Sequence, residues 1–393
     1  MPILFLIVVI DLIGFGLVIP LLPFYAERFD ASPQQVTMLM AVFSLMSMLT
    51  APIWGRLSDR VGRRPVLMVS MAAASLAYLW LGFADALWML FAARALAGAC
   101  AGNIAAANAY VADVTTPENR AKGMGMIGAA FGLGFIVGPA LGGMVAGNRL
   151  ATADLRSPGL IACALSLTAL LGVVFALKES LPTGTAAQPR RSRVAALRDA
   201  MGRTALARLL AVFFLAILAF AGMEATFALW AMAQFGWGPA QIGYVFTYVG
   251  LLSAAMQGGL IGRLTARFGE EKLLLAGLAL IAAGLLLVPL SYGLPVLIPA
   301  VSALALGMGA MQPSLNSLIS RRAGADRQGE VMGVAQSVGS LSRVLGPLLA
   351  GILFAGLGRN SPYFCGMVLV IGAALISWRL PPAEPAAQPS LAK

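Results

Sequence analysis

Apolar residues run along this chain in stretch after stretch of about 20, the length of a helix that crosses a bilayer. Twelve such stretches stand out, at 3–25, 34–55, 66–83, 87–111, 123–145, 159–177, 209–233, 241–261, 273–292, 294–319, 331–355 and 362–378. Barrel strands would alternate apolar and polar residues, and these segments do not. Polar residues collect in short connections, with one longer connection near the middle. The pattern predicts an all-α integral membrane protein. Composition agrees: 60% of the 393 residues are hydrophobic, 11% are charged, and mean hydropathy is +0.87. A soluble chain carries about a quarter charged residues, so lipid is the expected solvent for most of this one.

The net charge of +11 changes the picture through its placement. With twelve spans, 21 of the 27 Lys and Arg fall on one side, while Arg28, Arg149, Arg156 and Arg359 fall on the other and Arg94 and Arg343 lie within spans. The positive-inside rule then expects a multi-pass protein of a bacterial-type inner (plasma) membrane with both termini cytoplasmic. The charge reads as topology, and no nucleic-acid partner is expected. No cleavable signal peptide is expected either, because the first residues lack a basic region and Asp11 interrupts the apolar run. Cys100, Cys163 and Cys365 fall in spans without CxxC spacing, which predicts buried thiols and no disulfide or metal site. With no histidine, no metal-ligand cluster and no phosphate-binding G-x-x-x-x-G-K-[ST] loop, neither an enzyme nor a cofactor is expected.

The chain also repeats itself. "GRLSDRVGRRPVL" from Gly55 matches "GRLTARFGEEKLL" from Gly262 at an offset of 207, and Gly138-Pro139 matches Gly346-Pro347 at an offset of 208. A nearly constant offset across three spans points to two parallel six-helix bundles. They are expected at 1–180 and 208–380, with a linker at 181–207 and a cytoplasmic tail at 381–393. From about Ser192 to Arg208 the linker reads as a basic amphipathic segment on the anionic leaflet, or else as a solvated tether.

The first of these motifs resembles the signature of the major facilitator superfamily, G-x-L-a-D-r-x-G-r-k. "GFGLVIPLLP" in the first span, "RALAGACAG" in the fourth and "GFIVGPALGG" in the fifth resemble further signatures of its twelve-span drug:proton antiporter branch, nearest to tetracycline-efflux-type exporters. The resemblance covers essentially the whole chain. It implies the major facilitator fold and a monomer working on a small-molecule substrate and protons, surrounded by lipid. It also implies multidrug efflux and, with it, antibiotic resistance. Exporters of the tetracycline type rely on a histidine in the eighth span and an aspartate in the ninth. This chain has no histidine and no carboxylate within Leu273–Tyr292, so tetracycline does not carry over as substrate. The resemblance further implies that Asp59 and Arg60 latch a gate between the halves, together with Gly55, Gly62, Arg63 and Arg64; the plainer reading of these arginines is topology. The fifth-span pattern G-x-x-x-G-P-x-x-G-G, with Gly134, Gly138, Pro139, Gly142 and Gly143, marks exporters by resemblance. Physically, small residues four apart make a smooth packing face, used either for plain packing or as a sliding seam between halves.

Four charges fall clearly inside spans: Asp11, Arg94, Glu224 and Arg343. At about 1.5 Å per residue, Asp11 and Arg94 differ in depth by only ~6 Å, which long side chains bridge. A carboxylate at a helix centre costs about 2.5–3.5 kcal/mol, so these residues either form static ion pairs or couple transport to protons. In the second reading Asp11 or Glu224 carries the proton and the other meets substrate. Helical spacing adds a candidate cavity lining of Phe15, Asn108, Phe220, Phe227, Gln312, Asn316 and Gln336, suited to amphiphilic and often cationic compounds, although phenylalanine in a membrane helix also serves plain packing. The function expected is proton-coupled export by alternating access. Proton-coupled uptake of a small metabolite, or a lipid-translocating or non-transport role, stands as the alternative.

Overall fold

The structure is a computed structural model that describes residues 1–149, 152–181, 193–324 and 327–378. The 381–393 tail and most of the expected linker therefore lie outside the described residues. Among the described residues every regular element is helical. The first span comprises α1 (Pro2–Val18), a 3-10 turn at Ile19–Leu21 and α2 (Leu22–Glu27). The turn falls where Pro20 and Pro23 lack N–H donors. Spans two and three are α3 (Pro33–Val61) and α4 (Arg63–Gly82). The fourth is broken into α5 (Leu87–Ala99) and α6 (Asn103–Val114), and α7 (Pro117–Ala146) and α8 (Arg156–Ala176) complete the first half. After the linker helix α9 (Arg193–Gly202) come α10 (Thr204–Phe235) and an eighth span of α11 (Pro239–Ala255), a π turn (Met256–Leu260) and α12 (Ile261–Phe268). The last four spans are α13 (Glu270–Leu287), α14 (Leu294–Ala323), α15 (Gln328–Leu357) and α16 (Ser361–Trp378).

Each of the twelve predicted spans is thus helical. Among the described residues, eleven helical segments are long and apolar enough to cross a membrane. The ninth, α13, has 18 residues but opens with Glu270, Glu271 and Lys272, which dilute its apolar character. Local chemistry sets the ends. At the start of α3, Pro33 sits at the first position, the Gln35 N–H donates to Ser32 Oγ at 3.3 Å, and the Ser32 N–H donates to Gln35 Oε1 at 2.8 Å, a reciprocal cap.

The duplicated Gly-Pro pairs explain the packing within each half. A Cβ on Gly138 would stand 2.6 Å from the Gly16 backbone of α1, and one on Gly346 would stand 3.1 Å from the Gly222 backbone of α10. Gly134 and Gly142 also face α1, against Leu12 and Leu17. Three of the four motif glycines, Gly134, Gly138 and Gly142, therefore hold α7 to α1 inside one half, the plain-packing reading for them. Gly143 does meet the other half, against Pro239 and Ala240 of α11.

The halves meet at one end and part at the other. At the closed end the Ala240 N–H donates to the Gly147 carbonyl at 3.0 Å, and Gly351 of α15 lies on Gln34 and Thr37 of α3. Toward the basic loops, Gly55, Gly125, Gly128, Gly258, Gly259, Gly262, Gly329 and Gly333 have no atom within 4 Å of where a Cβ would stand. These positions of α3, α7, the π turn, α12 and α15 face open space on the side that carries the basic loops.

Candidate functional site

The break in the fourth span builds the centre of the first half. Between α5 and α6 the Gly102 N–H donates to the Cys100 carbonyl at 2.7 Å, and the Trp54 indole of α3 donates to the Ala99 carbonyl at 2.7 Å. The chain restarts as a helix at Asn103. The Asn103 side chain accepts the Ile104 N–H at 2.9 Å and donates through Nδ2 to Asp11 Oδ2 at 2.5 Å. Ser166 of α8 donates its hydroxyl to Asp11 Oδ1 at 3.3 Å. Asp11 is 4% exposed. Its carboxyl is thus cradled by neutral donors and by the amino-terminal end of α6, which favours negative charge.

Arg94 does not pair with it. The guanidinium, 5% exposed, lies 4.4 Å over the Phe43 ring of α3, and its Nε has no hydrogen-bond partner among the described residues. Such stacking offsets part of the cost of burying a cation. Of the two readings, a static ion pair of Asp11 and Arg94 is not formed among the described residues. Tyr78 of α4 lies within electrostatic reach of both groups. Phe15 packs on Phe43 with ring centres 5.4 Å apart and meets Phe135 at 6.3 Å, so α1, α3, α5 and α7 share one aromatic path to Arg94.

In the second half, Glu224 and Arg343 are half-buried and interact electrostatically across the α10–α15 seam without a direct salt bridge among the described residues. Gln336, two turns before Arg343, is exposed, and Asn108, Gln312 and Asn316 are half-buried without hydrogen-bond partners among the described residues. Phe220 is half-buried against the core. Phe227 does not line a cavity here. It is 3% exposed, with Trp230 and Phe246 each at 6.1 Å, in an aromatic core that a cavity-lining assignment from spacing misses.

The second-to-third connection forms a compact ionic cluster. Gly62 ends α3 and begins α4 at φ 105°, and a Cβ there would run into the Glu179 carboxylate. Glu179 instead accepts the N–H groups of Arg63 at 2.8 Å and Arg64 at 3.1 Å, capping α4. The Arg63 side chain is buried and bonds Asp59 at 2.6 Å, Asp113 of α6 at 2.9 Å and Ser58 at 3.1 Å. Arg64 donates to the carbonyls of Val173 and Val174 at the end of α8. Arg60 is exposed, without a hydrogen bond or ion pair among the described residues, and Gly55 faces open space. Arg63 and Arg64 thus organise one half from within. Sequence reasoning missed Asp113 and Glu179, which read as solvated span ends, and Phe43, Ser166 and Asn103. Of these, Asn103 alone had a usable signal: it follows the helix-breaking run Gly98–Gly102.

With this geometry in hand, the sequence profile described as the Major Facilitator Superfamily matches residues 4–343 and 209–393. The chain belongs to the major facilitator superfamily. It is similar to the tetracycline resistance protein, class C, of Escherichia coli, with 34% identity over 95% of this chain and 93% of that protein. It is also similar to multidrug resistance protein 2 of Bacillus subtilis (strain 168), with 31% identity over 92% and 90%. The crystal structure of the human organic anion transporter MFSD10 (TETRAN) superposes with a TM-score of 0.73 at 27% identity, covering 96% of this chain and 98% of that one. These relatives are transporters, and the present superfamily member is a multi-pass membrane transporter rather than an enzyme.

Proposed function

We propose that this transporter exports small amphiphilic organic compounds, cationic ones among them, in exchange for protons, with Asp11 as the proton carrier. The observation that carries this reading is the Asp11 cradle: a carboxyl inside a membrane helix, buried, bonded by Asn103 and Ser166 and without a cationic partner among the described residues. Neutral donors favour the ionised form less than a fixed guanidinium would, which leaves the carboxyl able to take up and release a proton. Glu224, beside Arg343, is assigned to the substrate's positive charge. The fifth-span pattern and the resistance proteins among the relatives support the export direction. Tetracycline is not assigned as cargo, for want of a histidine and of any carboxylate within Leu273–Tyr292.

The basic-loop side is assigned to the cytoplasm of a bacterial-type inner membrane, so the open side faces the cytoplasm. The latch assigned to Asp59 and Arg60 acts in the opposite state. Thr37 meets Gly351 at the closed end. Five turns along α3 from Thr37 lies Gly55, and five turns back along α15 from Gly351 lies Gly333. Both face open space here. One turn further, Asp59 would reach Gly329 in the first turn of α15, whose amino-terminal end attracts a carboxylate.

The test is proton release from purified, unbuffered protein in detergent on adding tetraphenylphosphonium, followed with a pH indicator. Release that disappears in Asp11→Asn is expected. Release that persists in that variant, or uptake in its place, overturns the assignment.

A further inference from the structure

A helix that breaks inside a membrane leaves main-chain groups that lipid cannot satisfy. The break in the fourth span is of this kind. In a continuous helix the Ala99 carbonyl would accept the Asn103 N–H, four residues on. Here the helix lapses over Cys100–Gly102, and the Ala99 carbonyl accepts the Trp54 indole N–H of α3 at 2.7 Å instead. A side chain from another span has taken the place of the helix's own donor.

The surroundings admit that indole closely. A Cβ on Gly102 would stand 2.9 Å from the Trp54 ring and 3.1 Å from the Ser70 hydroxyl of α4, so glycine at this position lets the ring approach. Four residues earlier, a Cβ on Gly98 would run into the Phe43 carbonyl, which seats the end of α5 on the same helix. Ser70 is buried, and its hydroxyl has no hydrogen-bond partner among the described residues. The indole, not this hydroxyl, holds the break. Beyond it, Asn103 accepts the Ile104 N–H with its side-chain oxygen at 2.9 Å, which leaves Nδ2 to donate to Asp11 at 2.5 Å.

We infer that Trp54 is a positioning residue for the Asp11 cradle. By occupying the Ala99 carbonyl it keeps the fourth span broken, and the break turns the Asn103 amide to the carboxyl. It acts through the main chain of the fourth span rather than on Asp11 itself. Without the indole N–H, the orphaned carbonyl recaptures the Asn103 N–H, the span straightens and the amide leaves Asp11. For its role in transport the inference rests on the reading of Asp11 as proton carrier; the link from Trp54 to the carboxyl is tested apart from it.

The test sets the two intramembrane acids against each other in the full-length protein. Dicyclohexylcarbodiimide is an apolar reagent that adds to protonated carboxyls, and mass spectrometry of the peptides gives the labelling rates of Asp11 and Glu224 in one sample. Trp54 is replaced by β-(3-benzothienyl)alanine, which keeps the ring system with sulfur in place of the N–H, and separately in Trp54→Phe. A donor to an ionised carboxylate favours that form. Its loss is therefore expected to speed labelling of Asp11 about tenfold at neutral pH, while Glu224 keeps its parental rate. Asn103→Ala is expected to give the same rise alone, and Trp54→Phe added to it no further rise. An Asp11 rate that does not rise in the benzothienyl protein, an equal rise at Glu224, or additive effects of Trp54→Phe and Asn103→Ala each overturn the inference. Proton release that persists in Asp11→Asn overturns the carrier reading instead, and the labelling rates still decide the place of Trp54.

Discussion

The two halves share a backbone plan and divide the chemistry. Both close their first helix on a Gly-Pro helix through facing glycines, Gly16 on Gly138 and Gly222 on Gly346. The charges do not follow the duplication. Asp11 lies five residues before Gly16, whereas Glu224 lies two after Gly222, so the acids sit about two turns apart on equivalent helices. Asp11 has neutral donors, while Glu224 has Arg343 within electrostatic reach. The loop clusters are inverted as well. In the first half arginines on the connection meet acids at the ends of spans four and six. In the second half Glu270 and Glu271 on the connection meet Arg321 and Arg322 at the end of span ten, each at 3.3 Å. Packing at close backbone approach tolerates little change, so the seams persist in both halves. The charges, which packing does not fix, have diverged in the two copies.

The largest expected effect breaks the comparison at its centre. In inverted membrane vesicles with an imposed pH gradient, Asp11→Asn is expected to reduce gradient-driven transport to background while the protein stays folded, since the amide keeps the carboxyl's shape. Glu224→Gln is expected to leave gradient coupling intact and to weaken binding of tetraphenylphosphonium about tenfold. Loss of coupling in Glu224→Gln with wild-type coupling in Asp11→Asn would exchange the two roles.

Next in size is a contrast in stability. Arg63 is buried and serves Asp59, Asp113 and Ser58 together, so Arg63→Ala is expected to destabilise the detergent-solubilised protein by about 3 kcal/mol, because it removes a buried cation that three groups share. The matching variant in the oppositely charged cluster of the other half is Glu270→Gln. That variant keeps a partner for the Ser317 hydroxyl, now bonded at 2.6 Å, and loses its ionic tie to the half-exposed Arg321, with an expected cost under about 1 kcal/mol. Thermal unfolding of the two variants side by side decides whether the clusters differ in weight as they differ in sign.

Much of the fold could be read from the sequence because its cause is one-dimensional. Twelve apolar runs need only the length of a bilayer, and two matched motifs need only a constant offset. Asp11 was legible for the same reason, as a charge where charges are costly. Its partners were not. Arg94 was the expected neighbour by depth alone, but depth does not say which way a side chain points around the helix. The break at Cys100–Gly102 turns α6 so that Asn103, not Arg94, reaches the carboxyl. Phe227 failed in the same way, since a face shared with Glu224 does not tell a cavity wall from the core formed by Trp230 and Phe246. Glu179 was hidden because an acid at a span end reads as solvated until the loop it caps is folded against it.

Glu179 gives a smaller and pH-dependent effect. Burial pushes its carboxyl up, but the N–H groups of Leu181, Arg63, Arg64 and Ser180 outweigh this and hold it below its ordinary value of 4.5. A group depressed in the folded state stabilises that state above its unfolded value, and the contribution is lost as pH falls through the folded one. The parent protein is therefore expected to lose melting temperature on acidification below about pH 4.5. Glu179→Gln is expected to start lower at neutral pH and to show a flatter acid limb. Parallel curves would remove Glu179 as the cap that sets this half apart.

The smallest effect concerns the linker helix, which belongs to the second half by its contacts. Asp199 of α9 accepts Arg327 at 2.7 Å and Arg203 at 3.5 Å, with the Asp199 side chain 46% exposed. Water and salt screen such a pair, so Asp199→Asn is expected to lower the melting temperature only slightly, with the difference from the parent vanishing near 1 M salt. Transport is expected to be unchanged, because this exposed pair ties α9 to the second half alone. A transport defect in a variant of parental stability would make this ion pair a strap on α15. The division drawn here, with seams that move and loops that hold each half rigid, would then have to include the linker among the moving parts.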